Sequence, residues 1–138
     1  MNLGAVMDEL AAQIGTIAGL TAFGYPPDTV TPPAAIVTYP DEVVFDATYG
    51  RGMDTIALPV VVVVGRASDR ASRGRLSRYL DGSGSHSIKA TLEADGLEWA
   101  SFDTVRVMSA DEIDIYQIGG VDLLSATLRL DIAGTGAP

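Results

Sequence analysis

Leu3, Val6, Met7, Leu10, Ile14 and Ile17 recur at intervals of three and four, with Asp8, Glu9, Gln13 and Thr16 between them. That period gathers the apolar residues on one side, and it predicts an amphipathic helix over 3–18 with one buried face. Gly15 and Gly19 weaken its end, and Gly24 with Pro26 and Pro27 stops it. The segment GYPPDTVTPP at 24–33 predicts a stiff connection. The period then drops to two. Ala34 to Tyr39 predicts a short strand ended by Pro40, and Val43, Phe45, Ala47 and Tyr49 alternate with Val44, Asp46 and Thr48 as a second. GRGM at 50–53 predicts a turn, which makes 43–58 a hairpin with Arg51 at its tip. Pro59 cannot donate to a ladder, so it predicts a bulge, an edge or a strand restart.

Val60 to Val64 shows no alternation. A strand apolar on both sides needs both sides covered. Gly65 ends it, and Ser68 and Asp69 predict a helix start, with Ser68 as the cap. This helix runs to about Leu80 and stops at DGSGS. Leu76, Tyr79 and Leu80 share one flank; Arg66, Arg70 and Arg73 line another, and Arg75 and Arg78 point elsewhere. A short helix over 87–94 closes at Asp95-Gly96, which makes 66–94 a helical insertion. Val105 and Val107 alternate with Thr104 and Arg106 as a strand. IGGV at 118–121 predicts a turn. Leu124, Ala126, Leu128, Leu130 and Ile132 alternate with Ser125, Thr127, Arg129 and Asp131 as a half-buried strand, within a C-terminal strand region of 103–133. The tail AGTGAP reads as loose. The sum is an α+β single domain: a mostly antiparallel sheet of four to five strands, an N-terminal helix and the helical insertion.

Length and charge narrow the picture. At 138 residues one domain is expected, and it can bury a real core without metal or disulfide staples. Cysteine is absent, which excludes disulfides and thiolate chemistry. The first fifteen residues lack a basic leader, and Asp8 and Glu9 interrupt their apolar run, so no secretion signal is expected. The longest apolar run, Ile56 to Val64, falls far short of the ~20 residues a membrane span needs. Net charge is −9. Phosphate repels such a chain, so general nucleic-acid binding is disfavoured.

Candidate chemistry is sparse. His86 is the single histidine, so no His/Cys metal site can form around it. Ser83, Ser85 and Ser87 flank it, but adjacency in sequence is not triad geometry, and turn formation with helix capping explains them better. The acidic run SADEIDIYQ at 109–117 lacks EF-hand spacing and reads as a solvated loop. GRG at 50–52 lacks the spacing and following helix of a phosphate loop. The arginines at 66–78 remain. A DNA patch would want aromatic support, and only Tyr79 is near. A solvated flank and an interface, in which arginines meet carboxylates of another copy, both fit better.

One resemblance gathers these features. The connection into AAIVTYP, then PVVVVVGRASDRASRGRLSRYLDGSGSHSIKATLEAD, then DTVRVMSADEID and GVDLLSATLRLDI, resembles in order the tail terminator (tail completion) proteins of long-tailed phages, especially those of GC-rich actinobacterial hosts. The likeness spans nearly the whole chain, and no catalytic motif anchors it. It implies a structural virion protein that assembles as a homo-oligomeric ring, typically a hexamer, on the head-proximal end of the tail. There the ring stops growth of the major tail tube protein, offers a docking face to head–tail connector proteins, and lets phage DNA pass through its lumen without specific binding. Assembly would take place in the host cytoplasm. No enzyme activity, cofactor, metal or membrane is implied. On this reading the hairpin is an arm toward a neighbour or the tube, and Tyr49, Arg51, Arg70 and Arg73 are candidate interface residues. Other phage neck proteins (head-closure, connector or minor tail proteins) share the size and ring-forming habit. A small Ser/His hydrolase and a DNA-binding regulator are the alternatives outside that class.

Overall fold

The N-terminal period folds as helix α1 (Leu3–Ile14), capped by Asn2, whose Oδ1 accepts the Ala5 N–H at 3.0 Å. The computed structural model describes residues 1–45, 52–118 and 120–135. α1 stops four residues short of the expected end. Thr16 Oγ1 donates to the Gln13 carbonyl at 2.7 Å, and Gly19 turns at φ +81°. A hydroxyl that satisfies the last-turn carbonyls offers the backbone an alternative to another helical turn. Ile17 is buried all the same, from the turn rather than the helix.

The chain continues through β1 (Thr21–Phe23), β2 (Ala34–Val37), β3 (Glu42–Val44), β4 (Met53–Arg66), α2 (Arg70–Leu80), α3 (Ile88–Leu92), β5 (Thr104–Ile118) and β6 (Val121–Thr135). The sheet has six strands in the order β1-β2-β4-β6-β5, with β3 beside β4. All pairs are antiparallel except β1 with β2. The α+β class and the mostly antiparallel sheet agree with the sequence; the strand count is one or two higher. The extra strand β1 lies between the expected helix end and the expected connection at 24–33. Val44 pairs with Thr55 and Glu42 with Ala57, so the two legs of the expected hairpin do pair.

Pro59 marks no restart. β4 runs through it, and Pro59 pairs with Arg129 in β6. In a strand the N and O of one residue point the same way. The Pro59 carbonyl accepts from both Thr38 N and Thr38 Oγ1 on the β2 side. The missing N–H therefore falls where the neighbour changes from β2 to β3, at the 38–41 crossing, and no β6 bond is lost.

Pairing sorts side chains between two faces. Val60, Val62, Leu58 and Ile56 pair with Leu128, Ala126, Leu130 and Ile132. This row packs under the helices with Val6, Leu10 and Ile14 of α1, Leu76 and Tyr79 of α2, and Ile88 and Leu92 of α3. Each fully buried valine contributes at most about 1.5–3 kcal/mol. The other face carries Val61, Val63, Ser125, Thr127, Arg129 and Asp131. No helix covers it. The 24–33 segment folds over one corner, leaving a groove of about 370 Å³ between Pro26, Pro27 and Val30 on one side and Ile36, Val61 and Val63 on the other. This cover explains the unalternating valines: Val63 is buried on the second face, and Val64 is the extra residue of a bulge between Val63 and Gly65. The half-buried reading of the last strand holds at Asp131, which is exposed, but not in its middle, where Ser125 and Thr127 are buried as well as Ala126 and Leu128 and bond to Asp114 and Glu112 of β5. Ala133–Thr135 extend that strand into the expected loose tail; residues 136–138 lie outside the described set.

Candidate assembly surfaces

α2 begins at Arg70, and its cap is Asp69 rather than Ser68: Asp69 Oδ1 accepts the Ala71 N–H at 2.9 Å. Arg66 ends β4 and is not part of the helix. At about 100° per residue, the buried Ser72, Leu76 and Tyr79 centre on one side. Arg70 and Arg78 then lie near the opposite pole, with Arg73 and Arg75 on the two flanks. All four arginines are exposed, and none takes part in an ion pair among the described residues. The helix thus presents an arginine surface around its whole outer half.

Its seat is a close contact. Gly65 has φ +148°, and a Cβ there would stand 2.6 Å from Ser72 Oγ. Glycine lets the end of β4 approach α2 this closely. Ser72 Oγ is buried and has no hydrogen-bond partner. At the other end of α2, the Ser87 hydroxyl donates to the Asp81 carbonyl and accepts the Ala90 N–H at 3.0 Å, which caps α3. His86 Nδ1 lies 3.3 Å from Ser85 Oγ on the surface, and its ring tilts against Tyr79. Among the described residues no carboxylate bonds to this imidazole, so the neighbours do not assemble the orienting acid of a triad.

The arm root is apolar. Phe45 is 72% exposed and Tyr39 65%, and Val43 and Val44 are exposed between them. Tyr49 and Arg51 lie outside the described residues, so of the four candidate interface residues the structure places Arg70 and Arg73, both on α2.

The uncovered sheet face holds a cluster that sequence reasoning missed. SADEIDIYQ is not a loop; it belongs to β5. Side chains normally alternate along a strand, but a bulge between Asp111 and Asp114, with Glu112 at φ +49°, turns two consecutive carboxylates to one side. Arg129 answers both: Nε lies 3.2 Å from Asp111, Nη2 3.3 Å from Glu112, and Nη1 reaches Asp41 at 3.0 Å. Hydrogen bonding to Asp111 leads the causes that hold the guanidinium above its ordinary pKa, against a smaller opposing effect of desolvation. The signal available in the sequence was Arg129 as the one cation on the polar side of the last strand. Beside this cluster a hollow of about 360 Å³ opens between β3 and β5, lined by Glu42, Thr55, Ala57, Arg106 and Asp131. The carboxylates of this face (Asp41, Glu42, Asp111, Glu112, Asp114, Asp131) outnumber Arg106 and Arg129.

β5 is a sheet edge, and two bulges, at Val107/Ser109 and Asp111/Asp114, break its row of donors and acceptors. Such an edge resists continuous strand addition. Among the described residues no cluster of metal-ligating side chains forms, and no helix is long and apolar enough to cross a membrane. The chain matches no protein-family model and no curated protein significantly.

Proposed function

We propose that this protein is a tail-terminator-like ring subunit. It acts by shape: copies close head to tail into a ring, a hexamer by the resemblance, that caps the head-proximal end of a phage tail tube. The ring ends tube growth and offers its outer side to the head–tail connector, while DNA passes through the lumen without specific binding. The observation that carries this reading is the arginine surface of α2, exposed and lacking ionic partners among the described residues. Arginine in such a setting suits a protein interface, where its planar fork meets carboxylates. The apolar arm root of Phe45, Val44 and Tyr39 supplies a second contact of the kind that inserts into a neighbour.

The test is the native mass of the purified chain, followed by negative-stain imaging. Annuli of uniform diameter with a mass of several subunits are expected. A strict monomer at high concentration, or an open filament, overturns the ring. A connector-type neck protein would bind the head side and leave tube growth untouched, which separates that neighbouring reading.

A further inference from the structure

Two charged surfaces lie on opposite sides of the sheet. α2 packs on the covered face through Leu76 and Tyr79; Arg70 and Arg78 lie near the pole away from the sheet, with Arg73 and Arg75 on the flanks. The acidic surface lies on the uncovered face, as the register of Asp131 with Ala57, and of Ala57 with Glu42, requires. One molecule cannot bring the two together. A second copy can.

We infer that the uncovered sheet face receives helix α2 of a second copy, with Arg70 and Arg73 entering the hollow between Glu42 and Asp131. This deepens the ring reading and rests on it for its partner. Three features support this occupant. The charges are complementary in sum, since Glu42 and Asp131 in the hollow and the other carboxylates of the face outnumber Arg106, which shares the hollow, and Arg129; opposite patches that meet across copies steer encounter and fix orientation. The hollow is concave and lined in part by Val44, Thr55 and Ile132, so a guanidinium there is partly desolvated while Val44 supplies apolar contact area. The contact is heterologous: each copy uses its α2 surface on one neighbour and its sheet face on the other. Such a contact generates a closed ring or a filament, never an isolated two-fold dimer.

The experiment is a charge swap read by sedimentation and native mass. One variant is Arg70→Glu with Arg73→Glu. Acidic residues early in a helix favour its dipole, so α2 should keep its fold. The other is Glu42→Arg with Asp131→Arg. Neither site belongs to the Arg129 cluster, and thermal melts check that both variants stay folded. Each variant alone is expected to associate at least about a hundredfold more weakly than the wild type, on roughly tenfold per reversed charge at a partly buried pair. Mixed one to one, they should associate again, because every junction then pairs opposite charges. Raised salt should weaken wild-type association. If the wild type forms rings and both variants form them equally well, the inference fails and the ring reading stands. If the variants behave as expected but the wild type grows filaments, the patch pairing stands and the cap reading fails. A wild type that stays monomeric at millimolar protein and low salt overturns both. Variants that lose association without recovering it in the mixture overturn the pairing of these two surfaces.

Discussion

Changing Gly65 to alanine strikes the seat of α2, and the geometry separates two costs. The first is backbone strain. At φ +148° an L-residue is held in a conformation that costs about 1–3 kcal/mol. The second is steric: the new Cβ would stand 2.6 Å from Ser72 Oγ, and overpacking of this kind costs about 1–3 kcal/mol. Gly65→Ala is therefore expected to destabilise by about 2–6 kcal/mol, from the two costs together. Ser72→Ala removes the clashing oxygen but not the strain, since the next contact, with Ser72 Cβ, is an ordinary 3.7 Å. Ser72 Oγ is buried without a partner, so Ser72→Ala alone should be neutral or stabilise by about 1 kcal/mol. In that background Gly65→Ala should cost only the strain, about 1–3 kcal/mol. Denaturant unfolding followed by Trp99 fluorescence, at low protein concentration so that association does not enter, gives the four stabilities of this cycle. Near-equal cost of Gly65→Ala in both backgrounds would refute the steric half. A cost near zero would refute the whole placement of the β4–α2 junction, and with it the position of the arginine surface.

Other predictions bear on the frame that holds the surfaces. Glu9 on α1 accepts from Ala100 N at 2.8 Å, Ser101 N at 3.0 Å and Ser101 Oγ at 2.6 Å, so Glu9→Gln should cost about 1–2 kcal/mol in the same unfolding assay. Burial pushes the Glu9 carboxyl up, but these hydrogen bonds outweigh it and hold it below its ordinary value. Glu93 behaves alike: burial raises it, while Lys89 and the Val107 N–H bring it down. Both carboxylates therefore contribute stability that is fully present above the unfolded value of about 4.3 and is lost as pH falls through the lower folded values. A pH titration of stability should show the acid-side loss, and Glu9→Gln should flatten part of it. Leu10→Ala, at a fully buried position of α1, should cost about 2–5 kcal/mol, read as a lower denaturant midpoint. Arg129→Met should cost less than about 1 kcal/mol, because its ion pairs are partly exposed, and the difference should shrink as salt rises.

The strongly periodic elements were legible because burial set their pattern. Leu10 and Ile14 of α1 and the Leu128–Ile132 row of β6 keep the spacing their core face demands, while the unalternating valines of β4 signalled cover on both faces. What was not legible had a tertiary cause. β1 is three residues long and exists only because β2 lies beside it; TAF carries no period of its own. The acidic stretch of β5 reads as a loop until Arg129, seventeen and eighteen positions away, gives its carboxylates a partner. Asp69 displaced Ser68 as the cap because the strand runs on to Arg66 and the turn takes up Ala67 and Ser68. For the candidate site, helical spacing put Arg70 and Arg73 on the polar side of α2, where they lie, while Tyr49 and Arg51 fall outside the described residues. The acidic counter-surface depends on strand pairing and a bulge, which no local pattern encodes.

The most direct test of the central claim is to add the purified chain to growing tail tube protein and image the products. The account predicts short tubes of arrested length, each with a ring at one end. Tubes that grow to their usual length with bare ends would contradict it.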